Sequence, residues 1–159
     1  NVFSKKAVAP SPKITSFEEC GAAGYPVQES YPRKCTTREG KSFTEDIGNT
    51  LDKQNLIKLT TPSPNEIVKN PLKISGEARG NWYFEASFPV KILDASGKVL
   101  GTAIASTTSD WMTDKFVPFT AELTFETATT SKGTLVLDKD NPSGLPENAD
   151  SLRIPVKFK

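Results

Sequence analysis

Histidine is absent from all 159 residues. Without an imidazole there is no serine or cysteine triad of the His-based kind, no imidazole zinc site and no ordinary switch near neutral pH. An excess of one charge is missing too. Twenty Lys and Arg face 19 Asp and Glu, for a net +1, which is too little to neutralise a phosphate backbone, so no nucleic acid partner is expected. No apolar run approaches the ~20 residues of a membrane-spanning helix. No G-x-S-x-G elbow, S-x-x-K or P-loop occurs, and Pro142 after Asn141 removes the one near-miss to a glycosylation acceptor. The chain reads as not an enzyme, with no metal and no cofactor.

Cysteine is scarce. Cys20 and Cys35 are the only pair, with no CxxC spacing to suggest a thiolate metal site. Both lie in a polar stretch punctuated by Gly21, Gly24, Pro26, Pro32 and Gly40, where a free thiol has little to be buried in. A disulfide closing this loop would contribute about 3 kcal/mol in the chain-entropy model, and a disulfide places the chain in an oxidising, extracytoplasmic compartment. The first residue is Asn1, and residues 1–13 carry Lys5, Lys6 and Lys13, no acid and an Ala-Pro-Ser-Pro run. This stretch reads as a flexible tether, with an export signal or membrane anchor expected upstream of it.

Three pieces follow: the tether 1–13, a small disulfide-stapled α+β segment 14–47, and a β domain 55–159, with the polar stretch 48–54 as hinge. In the segment, Thr15 or Ser16 is placed to cap a short helix whose first turn carries Glu18 and Glu19. Gly21 and Gly24 end it. Arg38 to Lys41 is a turn between two short strands.

What is plentiful is two-residue alternation. Leu72, Ile74, Gly76 and Ala78 share one side of their run. So do Ala86, Phe88, Val90 and Ile92; Phe119, Ala121, Leu123 and Phe125; and Leu152, Ile154, Val156 and Phe158. Each run has one buried and one wet face, as in antiparallel sheets. Weaker runs at 56–60, 99–107 and 134–138 bring the count to seven strands, with turns such as Asp94-Ala-Ser-Gly97 between them. The fold class is mainly β, a seven-stranded antiparallel immunoglobulin-like sandwich, with an up-and-down barrel as competitor. Pro89 and Pro155, lacking amide donors, belong on edges or at bulges.

If successive strands alternate in direction, loops 80–84, 108–115 and 139–150 gather at one end. Trp82 and Phe84 are in phase with Ala86 and Phe88 and point inward. Tyr83 points out. The candidate binding patch is therefore Tyr83, Trp111 and Met112 with Asp110, Asp114 and Asp140. Trp111 and Met112 have a plainer reading as a cap on the core. Asp138, Asp140 and Asn141 hint at calcium, but Pro142 and Ala149 stand where an EF-hand needs ligands, and an Asp/Asn-rich turn suffices. Carboxylates for glycoside hydrolysis could be drawn only from Glu85, Asp110 and Asp114.

Several stretches in order carry a family resemblance: Ile57 to Pro62, Asn70 to Gly76, Phe84-Glu85 leading into Phe88-Pro-Val, Asp94 to Leu100, Asp110 to Thr113 and Pro118 to Ala121. Together they resemble the immunoglobulin-like domain of bacterial spore germination, the second Gmad type. Cys20 to Phe43 resembles a short two-cysteine module found beside such domains in bacterial envelope proteins. The resemblance implies an immunoglobulin-like fold in exported or membrane-attached proteins, with no catalytic residues to carry over.

The function expected is a non-catalytic extracytoplasmic interaction, adhesion or structural module, at the cell surface, whose partner is an envelope protein or a cell-wall glycan. The alternatives are a peptidase inhibitor presenting Arg33-Lys34 on the disulfide loop, and a carbohydrate-binding domain.

Overall fold

The computed structural model describes residues 13–159, so the tether, apart from Lys13, lies outside the described residues. The chain forms two compact units that part between Glu45 and Asp46.

The first unit is a helix and a three-stranded antiparallel sheet. Helix α1 is Phe17–Ala22, and the strands are β1 (Val27–Gln28), β2 (Lys34–Thr36) and β3 (Ser42–Thr44), with β2 central. Ser16 is the cap: its hydroxyl accepts from Glu19 N at 3.0 Å. The Glu19 carboxylate reaches back to Thr15 N and Oγ1 at 2.7 and 2.6 Å, so both residues proposed as caps serve the same helix start. Those bonds, the Thr15 hydroxyl's first, hold the Glu19 carboxyl below its ordinary range. Cys20 on α1 is bonded to Cys35 on β2, and both are fully buried. The staple ties the helix to the central strand of a unit too small to build much of a core.

The second unit holds helix α2 (Thr50–Lys53) and strands β4 (Ile57–Thr61), β5 (Leu72–Arg79), β6 (Ser87–Asp94), β7 (Val99–Ser106), β8 (Phe116–Leu123), β9 (Lys132–Asp138) and β10 (Ser151–Lys157). The order is β10-β9-β6-β7-β8-β5-β4, every pairing antiparallel. Pairing of β5 with β8 and of β6 with β9 crosses between non-consecutive strands, which an up-and-down barrel does not do. Between β7 and β8 the ladder holds one residue pair, Ser106 with Thr120, and there the sheet folds over. Its two layers are β4-β5-β8 and β7-β6-β9-β10.

The alternating apolar residues meet between these layers. Phe88 on β6 and Phe119 on β8 lie edge to face at 5.0 Å, and Ile74, Ile92, Leu135, Leu137 and Ile154 are buried around them. Each such side chain contributes about 2 kcal/mol for the apolar surface withdrawn from water. The β9 run shows no alternation because Leu135, Val136 and Leu137 are all buried.

The 48–54 stretch is no free hinge. Asn49 donates from N to Arg153 O and from Nδ2 to Ser151 O, and accepts from Arg153 N, at 3.2, 2.9 and 2.7 Å. Further along, Asn65 N donates to Pro155 O, and Lys157 exchanges bonds with Glu66 and Val68. The outer edge of β10 is thereby covered along its length, which blunts a site for unwanted strand pairing. Pro155 sits on this edge, where it has no ladder bond to donate. Pro89 lies just beyond the β9 ladder, which begins at Val90.

Candidate functional site

The three loops expected at one end do meet there. After β5 the chain makes a 3-10 turn, Gly80–Trp82. Gly80 N donates to Lys115 O at 3.2 Å, Asp140 N to Trp82 O at 3.0 Å, and Thr107 N to Ala86 O at 3.0 Å. Arg79 Nη1 donates to Asp114 O at 3.2 Å while its guanidinium lies 4.1 Å from the centre of the Phe116 ring. The loops are held to one another by backbone bonds and present a fixed surface.

Tyr83 is not on that surface. The 3-10 turn breaks the strand phase, so Trp82 and Tyr83 are both buried, at 1% and 3% exposure. The Tyr83 hydroxyl donates to Val117 O at 2.6 Å, and its ring meets Phe88 edge to face at 5.2 Å. Burial pushes the phenol well above its ordinary range, so it stays a protonated donor. Trp82 has no hydrogen-bond partner at Nε1; the apolar area of the indole offsets that loss.

Phe84 takes the outward place expected of Tyr83. A two-residue turn follows it: Phe84 and Ser87 exchange both backbone bonds, at 2.9 and 3.1 Å, and Glu85 and Ala86 have φ of 51° and 63°. This is the twist a tight hairpin needs, normally supplied by Asn-Gly. Phe84 is left 42% exposed, its ring 6.1 Å from that of Trp111 at 68°. Trp111 is half-buried, with one part packed against the core. Met112 beside it is 76% exposed, and its N–H donates to Asp110 Oδ1 at 3.0 Å.

The structure therefore brings the Phe84 and Trp111 rings together at the surface, with exposed Met112 next to Trp111 in the same loop. Asp110, Asp114 and Glu85 are exposed in the same loops, and Asp140 is half-buried on the neighbouring one. Of the residues expected from sequence, Trp111, Met112, Asp110, Asp114 and Asp140 come to this end, and Tyr83 leaves the list. Phe84 was missed because Glu-Ala gives no turn signal.

Other stretches singled out in the sequence serve the fold. The Asp94 carboxylate accepts from Ser96 Oγ, Ser96 N and Lys98 N at 2.6, 2.9 and 2.9 Å, so Asp94-Ala-Ser-Gly97 is a hairpin turn. In the 138–145 loop, Asn141 and Ser143 commit their side chains to each other and to Leu145, and among the described residues no group of three potential metal ligands converges. Lys34 is paired with Gln28 on one side and Thr44 on the other, and Arg33 is held by Glu45 through two bonds at 3.1 and 2.8 Å. An inhibitor's bait must offer a free extended backbone. Arg33-Lys34 does not.

The family model for the immunoglobulin-like domain of bacterial spore germination, Gmad2, matches residues 56–144, more than half of the chain. The chain belongs to the Gmad2 family. Comparison with curated proteins and with solved structures finds no match. The Gmad2 match opens at the foot of β4 and closes at Gly144, before β10, although β10 completes the Gmad2 sheet. Gly80, Phe84, Trp111, Met112 and Asp140 all fall inside it. The disulfide-stapled unit precedes it.

Proposed function

We propose that this Gmad2 chain is a non-catalytic interaction module of a bacterial cell-envelope protein, working outside the cytoplasm, and that its contact surface is the loop end bearing Phe84, Trp111 and Met112. The observation that carries this reading is the patch itself: an exposed phenylalanine ring, a half-buried tryptophan in contact with it and an exposed thioether, on loops that are hydrogen-bonded to a rigid sandwich. Aromatic and Met side chains are enriched in the cores of protein interfaces. The buried Cys20–Cys35 bond supports an oxidising compartment. Among the described residues no helix is long and apolar enough to cross a membrane. The partner on this reading is an envelope protein or a cell-wall glycan.

Met112 is the only methionine, so methyl-labelled methionine places a single NMR probe on the patch. Titration with cell-wall fragments and with purified envelope proteins should move that resonance. Trp111→Ala with Met112→Ala, followed by calorimetry because the second change removes the probe, should abolish binding in a protein that still folds, at a melting temperature lowered by the lost Trp111 core contact. Binding that survives the double change intact sinks the proposed location.

A further inference from the structure

We infer that the patch takes a cationic polypeptide segment, one that sets lysine or arginine beside an aliphatic or aromatic side chain. The inference rests on the reading of this loop end as the contact surface and adds the chemistry of the partner.

The apolar centre is Phe84, Trp111 and Met112. Four carboxylates are placed around it by the chain itself: Glu85 follows Phe84 directly, Asp110 precedes Trp111, Asp114 lies two residues beyond Met112, and Asp140 is tied to Trp82 by its backbone. Among the described residues none of the four meets a cation in an ion pair, whereas Asp150, Asp138 and Glu126 of this unit are paired with Lys53, Lys91 and Lys98. The nearby cations are partly occupied. Arg79 stacks on Phe116 and donates to Asp114 O but keeps its charge, so the four carboxylates face three cations, Arg79, Lys115 and Lys139. In a chain of net charge +1, this end therefore carries a local negative excess.

That charge decides the occupant. An acidic segment laid across Met112 would bring like charges together in a partly desolvated interface, which costs affinity and suppresses wrong partners. A neutral glycan could stack on Trp111 but would leave four carboxylates without a counter-charge. A basic segment satisfies both halves of the surface: its alkyl or aromatic side chains cover Phe84, Trp111 and Met112, and its cations meet the rim. Lysine and arginine stems also pack well on aromatic faces.

The test uses the full chain labelled at the Met112 methyl, with three amidated hexapeptides of alternating leucine and lysine, leucine and serine, or leucine and glutamate. The lysine peptide should move the Met112 resonance at the lowest concentration and the glutamate peptide should not move it. Raising salt from 0.05 to 0.5 M should weaken the lysine peptide about tenfold or more, because the screening length falls below the spacing of rim and peptide charges. Asp110→Asn with Asp114→Asn should weaken it about fivefold, and the turn survives because Asn keeps the acceptor for Met112 N. Equal affinity of the lysine and serine peptides, with no salt dependence, would overturn the cationic partner while leaving the contact surface standing. A preference for the glutamate peptide would overturn it as well. A Met112 resonance unmoved by all three would likewise overturn the cationic partner, while the surface itself stands or falls with the titration against cell-wall fragments and envelope proteins.

Discussion

Gly80→Ala tests whether the loop end is one packed platform. A β-carbon at Gly80 would lie 1.9 Å from Thr113 O and 2.1 Å from Trp111 O, where a carbon–oxygen contact normally needs about 3.3 Å. Both obstacles are backbone, so neither can swing aside as a side chain would. The loop must retreat by about 1 Å or more against its bonds to Gly80 N and Arg79. Overpacking of this kind costs about 1–3 kcal/mol, and rigid obstacles put the expectation at about 2–3 kcal/mol. For a domain of this size that lowers the melting temperature by about 10 °C. Gly97→Ala is the contrast: no atom lies within 4 Å of its β-carbon, but its φ is +90°, so only backbone strain of about 1–2 kcal/mol applies. Thermal unfolding followed by circular dichroism ranks the two variants, and the Met112 methyl resonance reports the loop. Gly80→Ala should melt lower and shift the resonance; Gly97→Ala should leave it in place. A Gly80→Ala protein that melts within about 2 °C of the parent, or that loses stability with Met112 undisturbed, would refute the idea that Gly80 sets the patch.

Tyr83→Phe removes a buried donor from Val117 O and should cost about 1–2 kcal/mol in urea unfolding at unchanged slope; an unaltered midpoint would show that the bond contributes nothing. Ala86→Gly relieves a left-handed alanine, worth about 1–2 kcal/mol, against about 0.7 kcal/mol of added unfolded-chain entropy. It should raise the melting temperature, and a fall would contradict the turn. Replacing Cys20 and Cys35 by serine should destabilise the first unit by about 3 kcal/mol; hydrogen exchange should then speed up over residues 14–45 and stay slow in the β6 and β9 strands, and unchanged exchange over 14–45 would count against the staple. The Ser96 hydroxyl, with the amides of Lys98 and Ser96, holds the Asp94 carboxyl below its ordinary range, burial acting in the opposite direction. A depressed folded value contributes stability above the unfolded pKa of about 3.9 and loses it as pH falls through the folded value. Asp94→Asn should therefore flatten the acid limb of a stability–pH curve, and coincident limbs would dismiss the assignment.

The strands were legible wherever one face is buried and the other wet. Residues 72–79 alternate cleanly and form β5 with those bounds. The 134–138 run was weaker because its strand is buried on both sides, which erases the alternation. The strand order was not legible at all. Period-two patterning tells which way side chains point and says nothing of which strand pairs with which, so the Greek-key pairings β5–β8 and β6–β9 emerge only from the coordinates. Nor could composition distinguish a polar hinge from a polar edge cover. Asn49 looks like linker in the sequence, yet its amide bridges two residues of β10.

Errors at the site have a narrower origin. Counting by twos from Phe88 back to Trp82 assumes extended backbone throughout, and two departures intervene. The 3-10 turn at 80–82 rotates Tyr83 into the core, and the left-handed pair Glu85-Ala86 reverses the chain between Phe84 and Ser87. Each departure alone flips the side that a residue faces, so Tyr83 and Phe84 exchange roles. Asn-Gly at 85–86 would have announced the turn and formed it at lower cost. Glu85 instead occupies a conformation that disfavours it, and it is exposed in the turn that follows Phe84. Where a sequence departs from the residue that local backbone prefers, that position is expected to serve something other than stability. Replacing Glu85 by Asn separates the two demands on it: the hairpin should gain stability while affinity for the lysine peptide falls, and a change that improved both would leave the carboxylate without a role in binding.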